Sequence, residues 1–309
     1  MRNYVKTLLK LCVSVLLIGF LVYRIGAKNI WNTLLTADPV YIALILLTNV
    51  LGFVIASISV KFLLIPLNTK PFSFLKLMWY NTLTYAVSKF MPGRIGDFSI
   101  IYFLKKERIS LGEGFAVTMM DKVIISFVHV IFAVIGLFIF FPKKTAIEAT
   151  LCLIVISLGL LFVIIWKPGR DFVKKYILRK YADTFKGFYN TFSGYYKEHK
   201  SILALNFVVG IVKNIAFGLV LYLSLRAFGV ANPPNLLVMM VLSSISNVIS
   251  LIPITLAGLG AKEALLVFVL GVYGIPAEIV MGASLMLLGV RYISSVWALL
   301  MYTWFDKKN

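Results

Sequence analysis

Histidine, cysteine and charged residues are scarce in this chain of 309 residues. The sequence has two histidines, His129 and His199, and two cysteines, Cys12 and Cys152. Two histidines exclude a multi-histidine metal site, and both cysteines lie in apolar runs, where cysteine usually serves as a small packing residue. The GxSxG, HExxH and P-loop motifs are absent too. The sequence therefore predicts no metal, no cofactor and no catalytic set of these classes.

Charge is too sparse for an ordinary soluble domain. Charged residues make up 14% of the chain and hydrophobic residues 61%, whereas charged residues reach about 25% in soluble domains. The mean hydropathy of +0.94 points the same way. We therefore predict one membrane domain over residues 1–309.

Acidic residues are also few, and the formal net charge is +19. In a soluble protein such a charge would suggest a nucleic-acid partner. Here the basic residues flank apolar runs, where cytoplasmic helix ends and anionic headgroups account for them. We expect membrane lipids as partners and no nucleic acid.

Six apolar runs are long enough to cross a bilayer, which takes roughly 20 helical residues. These predicted spans cover residues 8–23, 39–62, 114–141, 147–166, 201–225 and 278–305. The first is short, but Lys6 and Arg24 can extend it by snorkelling. No A-x-A-like cleavage site follows it, so we interpret it as a helix rather than a secretory signal.

Two further apolar regions, residues 77–104 and 236–273, are interrupted near their middle. Proline and glycine break the first at residues 92–96 and the second at residues 253–260. An arm of about 15 residues reaches only about 22 Å, against a hydrocarbon core of about 30 Å. Neither region therefore makes two comfortable spans.

The distribution of lysine and arginine predicts how these regions are oriented. The loop 167–200 holds nine of them and is predicted to be cytoplasmic, as are the N- and C-termini, in the cell membrane. Both flanks of residues 77–104 are also basic, so this region should form a re-entrant hairpin from the cytoplasmic side. Residues 236–273 should enter from outside. Lys143 and Lys144 are discordant, because this topology places them outside.

The predicted fold is an all-α polytopic membrane protein with about six full spans plus two re-entrant helical hairpins. Span, hairpin and span at about 39–141 recur with opposite orientation at about 201–305, which makes an inverted repeat. Broken helices persist in hydrocarbon only against protein or a water-filled cavity. Inverted repeats with interrupted helices are a recurrent plan of carriers, with the substrate site between the breaks.

Charged residues inside apolar segments are the candidates for that site, because each central charge costs about 2.5–3.5 kcal/mol on insertion. The predicted substrate-binding residues are Arg94, Asp97, Asp121, Lys122, Lys213, Lys262, Glu263 and Arg291. Arg291 lies deep in its span, so we expect it to face the cavity with an acid or an anionic ligand as partner.

Structural roles remain open for several of these residues. Arg94 and Asp97 are three positions apart and can pair to steady the turn, and Glu263 can compensate a helix dipole. Asp121 and Lys122 are adjacent, so they should point in different directions and need separate partners. Asp121 would then pair with an inner basic residue while Lys122 snorkels.

Structural interpretations also exist for four polar residues: Glu113, His129, Lys213 and Asn214. Glu113 fits an ordinary acid at a helix N-terminus. His129 is either a proton relay or, more often in such positions, a hydrogen-bonded packing residue. Lys213 and Asn214 either line the cavity or tether neighbouring helices.

Several motifs occur in order along the chain. They are Pro92-Gly93-Arg94-Ile95-Gly96-Asp97, Ile109-Ser110-Leu111-Gly112-Glu113, Asp121-Lys122 and Gly258-Leu259-Gly260-Ala261-Lys262-Glu263. Together they resemble the lysylphosphatidylglycerol synthase transmembrane-region family, also called flippase-like. Asp97 stands where the family often has Glu, and Leu256-Ala257-Gly258 replaces its usual Pro-Gly-Gly.

The resemblance implies movement of a lipid between leaflets, with an anionic phospholipid or a polyprenyl-phosphate-linked lipid as substrate. Arg94, Lys262 and Arg291 would contact phosphate while Asp97 and Glu263 hold or release those cations. The soluble transferase fused to some relatives is not in this chain, so we expect a stand-alone member that is not an enzyme.

Two alternatives remain at this stage. One is a membrane-embedded glycosyl or phospholipid transferase that uses Asp97 or Glu263 as base. The other is a non-transporting anchor that holds a soluble synthase or glycosyltransferase partner through residues 167–200. A homodimer is compatible with each of these alternatives, and the sequence does not name the headgroup or the energy source.

Overall fold

The computed structural model describes residues 19–67, 72–165, 187–251 and 258–306, and every regular element in these ranges is helical. The α-helices are α1 (Ala27–Leu35), α2 (Pro39–Leu64), α3 (Phe74–Phe90), α4 (Ile100–Lys106), α5 (Leu111–Phe140), α6 (Lys143–Ile165), α7 (Phe188–Lys197), α8 (Lys200–Arg226), α9 (Leu236–Leu251), α10 (Ala261–Val272) and α11 (Ala277–Asp306). Short 3₁₀ helices follow α2 at Ile65–Leu67 and α3 at Pro92–Ser99.

Four helical stretches are long and apolar enough to cross a membrane. They are Pro39–Leu67, Leu111–Phe140, Lys200–Arg226 and Ala277–Tyr302, and each coincides with a predicted span. The predicted span 147–166 is helical through Ile165 as α6. Of the predicted span 8–23, residues 19–23 are helical and residues 8–18 lie outside the described residues. The all-α, multi-span membrane class is thereby confirmed.

Polar caps set the starts of two of these spans. Asp38 accepts a hydrogen bond from the backbone N–H of Val40, and Pro39 occupies the first turn of α2, where its missing N–H costs nothing. At α5, Ser110 and Glu113 form a reciprocal capping box. Glu113 thus fills the N-terminal role that the sequence suggested.

The first broken region contains a longer break than the sequence predicted. We expected an interruption at residues 92–96 and a return arm from Phe98, but a 3₁₀ helix runs over Pro92–Ser99 and α4 begins at Ile100. Proline at the first position presets the helical φ angle, which favours a tight helix over an open turn. Gly96 allows close packing, because a Cβ there would lie 2.5 Å from Cα of Ser88.

The two ends of this first hairpin, α3 to α4, lie together. Glu107, just after α4, accepts a hydrogen bond from Tyr80 at 2.6 Å and pairs with Lys76 Nζ at 2.6 Å. Lys76 and Tyr80 are in the first half of α3. The chain therefore returns to the end from which it started.

The second hairpin, α9 to α10, closes in the same manner. Val238 and Met239 at the start of α9 share one buried cluster with Val269, Leu270 and Ile275 at the end of α10. Residues 252–257, which hold part of the predicted break, lie outside the described residues. α9 has 16 residues, so it rises only about 24 Å.

Two hydrophobic cores occupy opposite ends of the helical bundle. The first core joins the end of α2, the starts of α3 and α5, the end of α4 and α7 through Leu63, Leu64, Leu77, Leu104, Ile109, Val117, Phe192 and Tyr195. The second joins the end of α8 with both ends of the second hairpin and α11. Helix α8 runs from Phe207, on the first core, to Leu225, in the second. The hairpin ends therefore lie at opposite ends of the molecule.

Helix α9 is packed closely between two spans. A Cβ at Gly136 of α5 would lie 2.2 Å from Val241 Cγ1, and a Cβ at Gly218 of α8 would lie 2.8 Å from the backbone nitrogen of Met240. Glycine at these positions lets the helix axes approach, as small residues do in membrane bundles.

Replacing Gly96 with alanine should open the first hairpin. The added methyl group would collide with backbone atoms of Ser88, which cannot move aside as a flexible side chain can. Overpacking of this kind costs about 1–3 kcal/mol. We expect a lower thermal unfolding midpoint of the purified protein in detergent. Gly52→Ala is the matched control, because nothing lies within 4 Å of its Cβ position; an equal midpoint for both variants would contradict this packing.

The Glu107 contacts predict a pH-dependent stability. Burial raises the pKa of Glu107, but hydrogen bonds from Lys76 and Tyr80 outweigh it and hold the pKa below its ordinary value. The contacts of ionised Glu107 should stabilise the fold above the unfolded-state pKa of glutamate, about 4.3. This stability should be lost as the pH falls through the lower folded-state pKa of Glu107. Glu107→Gln should therefore lower the unfolding midpoint at pH 7, and its difference from wild type should shrink below about pH 4.

The exposed residue Glu198 supplies the control for that experiment. Glu198→Gln should leave the midpoint unchanged across the same pH range. A Glu107→Gln deficit that stays constant down to pH 3 would contradict the assignment.

Candidate functional site

Asp121 is the centre of a buried polar cluster in the bundle. It lies in α5 with 7% of its surface exposed. Its Oδ1 accepts hydrogen bonds from Ser59 Oγ of α2 at 2.5 Å and from Lys213 Nζ of α8 at 2.8 Å. A carboxylate in an apolar bundle is stable only when paired and hydrogen-bonded, and these two partners meet that need.

Asn206 completes the inner part of this cluster. Its Nδ2 donates a hydrogen bond to the backbone oxygen of Ser59 at 2.8 Å, and its Oδ1 lies 3.0 Å from Ser59 Oγ, whose one hydroxyl hydrogen is donated to Asp121. Both residues are buried. The sequence analysis missed Ser59 and Asn206, although polar residues in apolar spans usually face the bundle interior, which was a usable signal.

Lys122 connects Asp121 to the first hairpin. Its Nζ lies 3.3 Å from Asp97 Oδ2 and 3.8 Å from Asp121 Oδ2. The expectation of separate partners for Asp121 and Lys122 was therefore only partly right. The long, flexible lysine side chain reaches back to its neighbour as well as to Asp97.

The result is a run of alternating charges, Asp97, Lys122, Asp121 and Lys213, with no formal net charge. It starts at the break of the first hairpin and ends on α8. Burial differs along it: the Lys122 side chain is 36% exposed, whereas those of Asp121 and Lys213 are 10% and 11% exposed. Lys122 is therefore the partly exposed member, whereas Asp97, at 13%, is nearly as enclosed as the inner pair.

Helix α8 therefore contributes a tether, which was one of the two interpretations of Lys213 and Asn214. Lys213 joins α8 to α5 through Asp121, and Asn214 accepts a hydrogen bond from Ser244 of α9 at 2.8 Å. His129 of α5 is within 3.4 Å of the same Ser244 hydroxyl. The packing interpretation of His129 thus has a specific partner.

In the second hairpin, Glu263 has a clear structural contact. Its Oε2 accepts a hydrogen bond from the backbone N–H of Gly260 at 2.7 Å, at the start of α10. The residue is 5% exposed, and Lys262 Nζ lies 3.7 Å from Oε1. Gly260 has a φ angle of +85°, which glycine adopts without strain. Glu263 therefore holds the turn in shape, whatever else it does.

Two predicted arginines are not joined to the cluster by the described contacts. The side chain of Arg94 lies outside the described residues, although its backbone is in the Pro92–Ser99 helix that also carries Asp97. Arg291 is half-buried in α11, and the described acidic residues include no ion-pair partner for it. An anionic ligand remains as its predicted partner.

Chemically, the outer ion pair suits exchange of one anion for another. Lys122 presents a partly exposed ammonium group whose nearest acid belongs to a different structural unit, the hairpin break. An incoming phosphate oxygen can compete with Asp97 for Lys122, while Asp121 keeps Lys213. Among the described residues no cluster of histidine, cysteine and acidic side chains suits a metal ion.

A comparison with curated proteins finds no match. The comparison with family patterns finds one match: the family described as lysylphosphatidylglycerol synthase TM region matches residues 7–298, nearly the whole chain. A match of this extent covers both hairpins, three of the four clear spans and most of the fourth. The chain therefore belongs to the lysylphosphatidylglycerol synthase transmembrane-region family.

Proposed function

We propose that this protein is a lipid translocase that moves an anionic phospholipid or a polyprenyl-phosphate-linked lipid between membrane leaflets. The observation that carries the proposal is the position of Lys122. This partly exposed cation is shared between Asp97 on the hairpin break and Asp121 in the bundle. Family membership supports a lipid-related role in the membrane.

The proposed architecture is about six spans and two re-entrant hairpins in an inverted repeat, with both termini in the cytoplasm. The closed ends of both hairpins at opposite ends of the bundle support it. So does a matching contact, because Gly96 packs on Ser88 and Gly258 packs on Ser250, each eight positions earlier. Each hairpin therefore folds back on its own first helix by the same spacing.

In the proposed cycle, the phosphate of the lipid headgroup competes with Asp97 for Lys122. Asp97 is released when phosphate binds, so the hairpin break loses one ionic contact with the bundle. When the phosphate leaves, Asp97 pairs with Lys122 again. The bound phosphate adds negative charge to a run that is otherwise neutral, so the cycle needs a further cation beside Lys122.

Other predicted residues would extend this path. Arg94 shares the break with Asp97, and Lys262 stands at the equivalent turn of the second hairpin. Arg291 on α11 is a further cation for a phosphate group. The acyl tails would stay in the surrounding lipid, against the apolar outer faces of the spans.

The function is tested with purified protein in liposomes of phosphatidylcholine and phosphatidylglycerol that carry a fluorescent phosphatidylglycerol. Dithionite quenching of the outer leaflet should show lipid movement well above that of protein-free vesicles. Headgroup turnover without movement would identify a transferase instead, and neither activity would favour a membrane anchor. Fluorescent phosphatidylcholine in place of phosphatidylglycerol tests whether a net anionic headgroup is required.

Substitution of Lys122 by glutamine should slow lipid movement roughly tenfold or more, because a charge-assisted contact to phosphate is worth about 1.5–3 kcal/mol. Folding should be nearly unaffected, since Lys122 is partly exposed and Asp121 keeps Lys213. The initial quenching rate and the thermal midpoint are measured together.

Lys61→Gln and Lys213→Gln are the comparison variants. Lys61 contacts the Phe74 ring at 5.5 Å away from the cluster, so its loss should leave the rate unchanged. Loss of Lys213 leaves the buried Asp121 without its closest cation and should lower stability by about 3–5 kcal/mol. A Lys122→Gln protein with the wild-type rate would refute the proposed role of Lys122.

A further inference from the structure

The turn after α4 contains the one described residue other than glycine that has a left-handed backbone. Arg108 has a φ angle of +64°, whereas the other described residues with positive φ are glycines. In this conformation a Cβ lies too close to a backbone carbonyl oxygen, so glycine is preferred. Strained positions of this kind often occur at functional sites. The arginine therefore needs a reason beyond the shape of its turn.

The turn itself is a common form of helix end. The N–H of Arg108 bonds the carbonyl oxygen of Lys105 at 3.1 Å. The N–H of Ile109 bonds the carbonyl oxygen of Leu104 at 3.3 Å. This pattern is the Schellman motif, in which glycine usually occupies the position that Arg108 has here. Leu104 and Ile109 are buried in the first core, so packing and backbone bonds fix the turn without the arginine side chain.

The second hairpin ends in the same turn, but with glycine. After α10, the N–H of Gly274 bonds the carbonyl oxygen of Gly271 at 3.0 Å. The N–H of Ile275 bonds that of Leu270 at 3.2 Å, and Gly274 has a φ angle of +73°. The same chain thus forms this turn with the residue that the geometry favours. Arg108 is the departure from it.

The two turns also differ in charge. Residues 105–108 comprise three cations and one acid, whereas residues 271–274, at the corresponding positions of the second hairpin, are uncharged. The acid, Glu107, directs its carboxylate at the start of α3 instead of at these cations. Lys105 and Arg108 are exposed, and no acid in the described part of the chain pairs with either. Their positive charge is therefore available to an external anion.

Two tyrosine rings hold the third cation beside this turn. Lys106 Nζ lies 5.2 Å from the ring centroid of Tyr102 and 5.9 Å from that of Tyr302. It also lies 3.5 Å from the Tyr302 hydroxyl. Tyr302 is the last residue of the last long apolar stretch, so the cations lie at the end of a span. Tyrosine and basic residues at that level meet the lipid headgroups.

We propose that Lys105, Lys106 and Arg108 bind the phosphate group of an anionic lipid that stays at the end of the first hairpin. Ammonium and guanidinium groups form charge-assisted hydrogen bonds with phosphate, and basic groups at headgroup level attract anionic lipids. The Tyr102 ring, 58% exposed, offers apolar contact beside the cations, which favours a lipid over a free phosphate ion. The site does not include Lys122, so this inference does not rest on the proposed translocation.

Arg108→Gly separates the strain of this residue from its charge. Glycine relieves the left-handed backbone, so the thermal unfolding midpoint of the full-length protein in uncharged detergent should rise. The same change removes the guanidinium group, so the further rise that added phosphatidylglycerol gives the wild type should shrink. Arg108→Lys keeps strain and charge and should behave as wild type in both respects. An arginine with a purely structural role would give a lower midpoint when replaced by glycine.

Native mass spectrometry of the full-length protein measures binding directly, with phosphatidylglycerol titrated in and phosphatidylcholine as the neutral comparison. Every sample carries Lys122→Gln, which removes the proposed transport contact. We expect the affinity for the first phosphatidylglycerol to fall roughly tenfold or more in the double variant Lys105→Gln/Arg108→Gly. Lys197→Gln/Lys200→Gln is the matched control, because it removes two exposed cations from the end of α7 and the start of α8. It should leave the affinity unchanged.

Three results would overturn the site. Equal affinity for phosphatidylglycerol and phosphatidylcholine would show that charge is not read. An equal loss in both double variants would indicate general attraction to a basic surface. The same rise in midpoint from inorganic phosphate would identify a site for a soluble anion instead. None of these readouts requires lipid movement, so a failed translocation assay leaves this site standing, and a failed binding experiment leaves the translocase proposal standing.

Discussion

The pairing of Asp121 is the constraint on which this bundle depends. An unpaired carboxylate in an apolar interior costs several kcal/mol, so its position demands donors from neighbouring helices. Ser59 and Lys213 supply them, which binds α2, α5 and α8 into one unit. Because Lys213 already pairs with Asp121, Lys122 can also pair with Asp97, which connects the bundle to the first hairpin. The enclosed pair of Asp121 and Lys213 thus leaves Lys122 available to Asp97.

The hairpins obey a different constraint, set by backbone hydrogen bonding and close packing. Neither α3 nor α9 is long enough to cross the hydrocarbon core, so each must be covered by protein. Glycines make that cover possible: Gly136 and Gly218 bring α5 and α8 against α9, and Gly96 brings the 3₁₀ helix against α3. Helix α9 is therefore packed between two spans, and the first break packs on the first helix of its own hairpin.

Much of this was predictable from the sequence, and the remainder depends on helix rotation. Apolar run length located the four clear spans, and Glu113 is the N-terminal acid that the sequence suggested. A polar residue such as Asn206 in an apolar span indicates the bundle interior, but its partner Ser59 was not predictable, because that contact depends on how α2 and α8 pack. The 3₁₀ helix at Pro92–Ser99 was missed because proline and glycine usually mark a turn, and only its packing on Ser88 selects the tighter helix. Whether the candidate residues bind a substrate stays a prediction.

The two hairpins contact the bundle by different chemistry, and this difference suggests how they would move. The first is held at its break by an ion pair between Asp97 and Lys122, and Lys122 is partly exposed. The second is held along α9 by a neutral, fully buried hydrogen bond from Ser244 to Asn214. An anionic headgroup that displaced Asp97 would therefore act on the first hairpin without touching the second. Lys213 and Asn214 are adjacent on α8, so one helix contacts both the charged cluster, through Asp121, and the second hairpin, through Ser244.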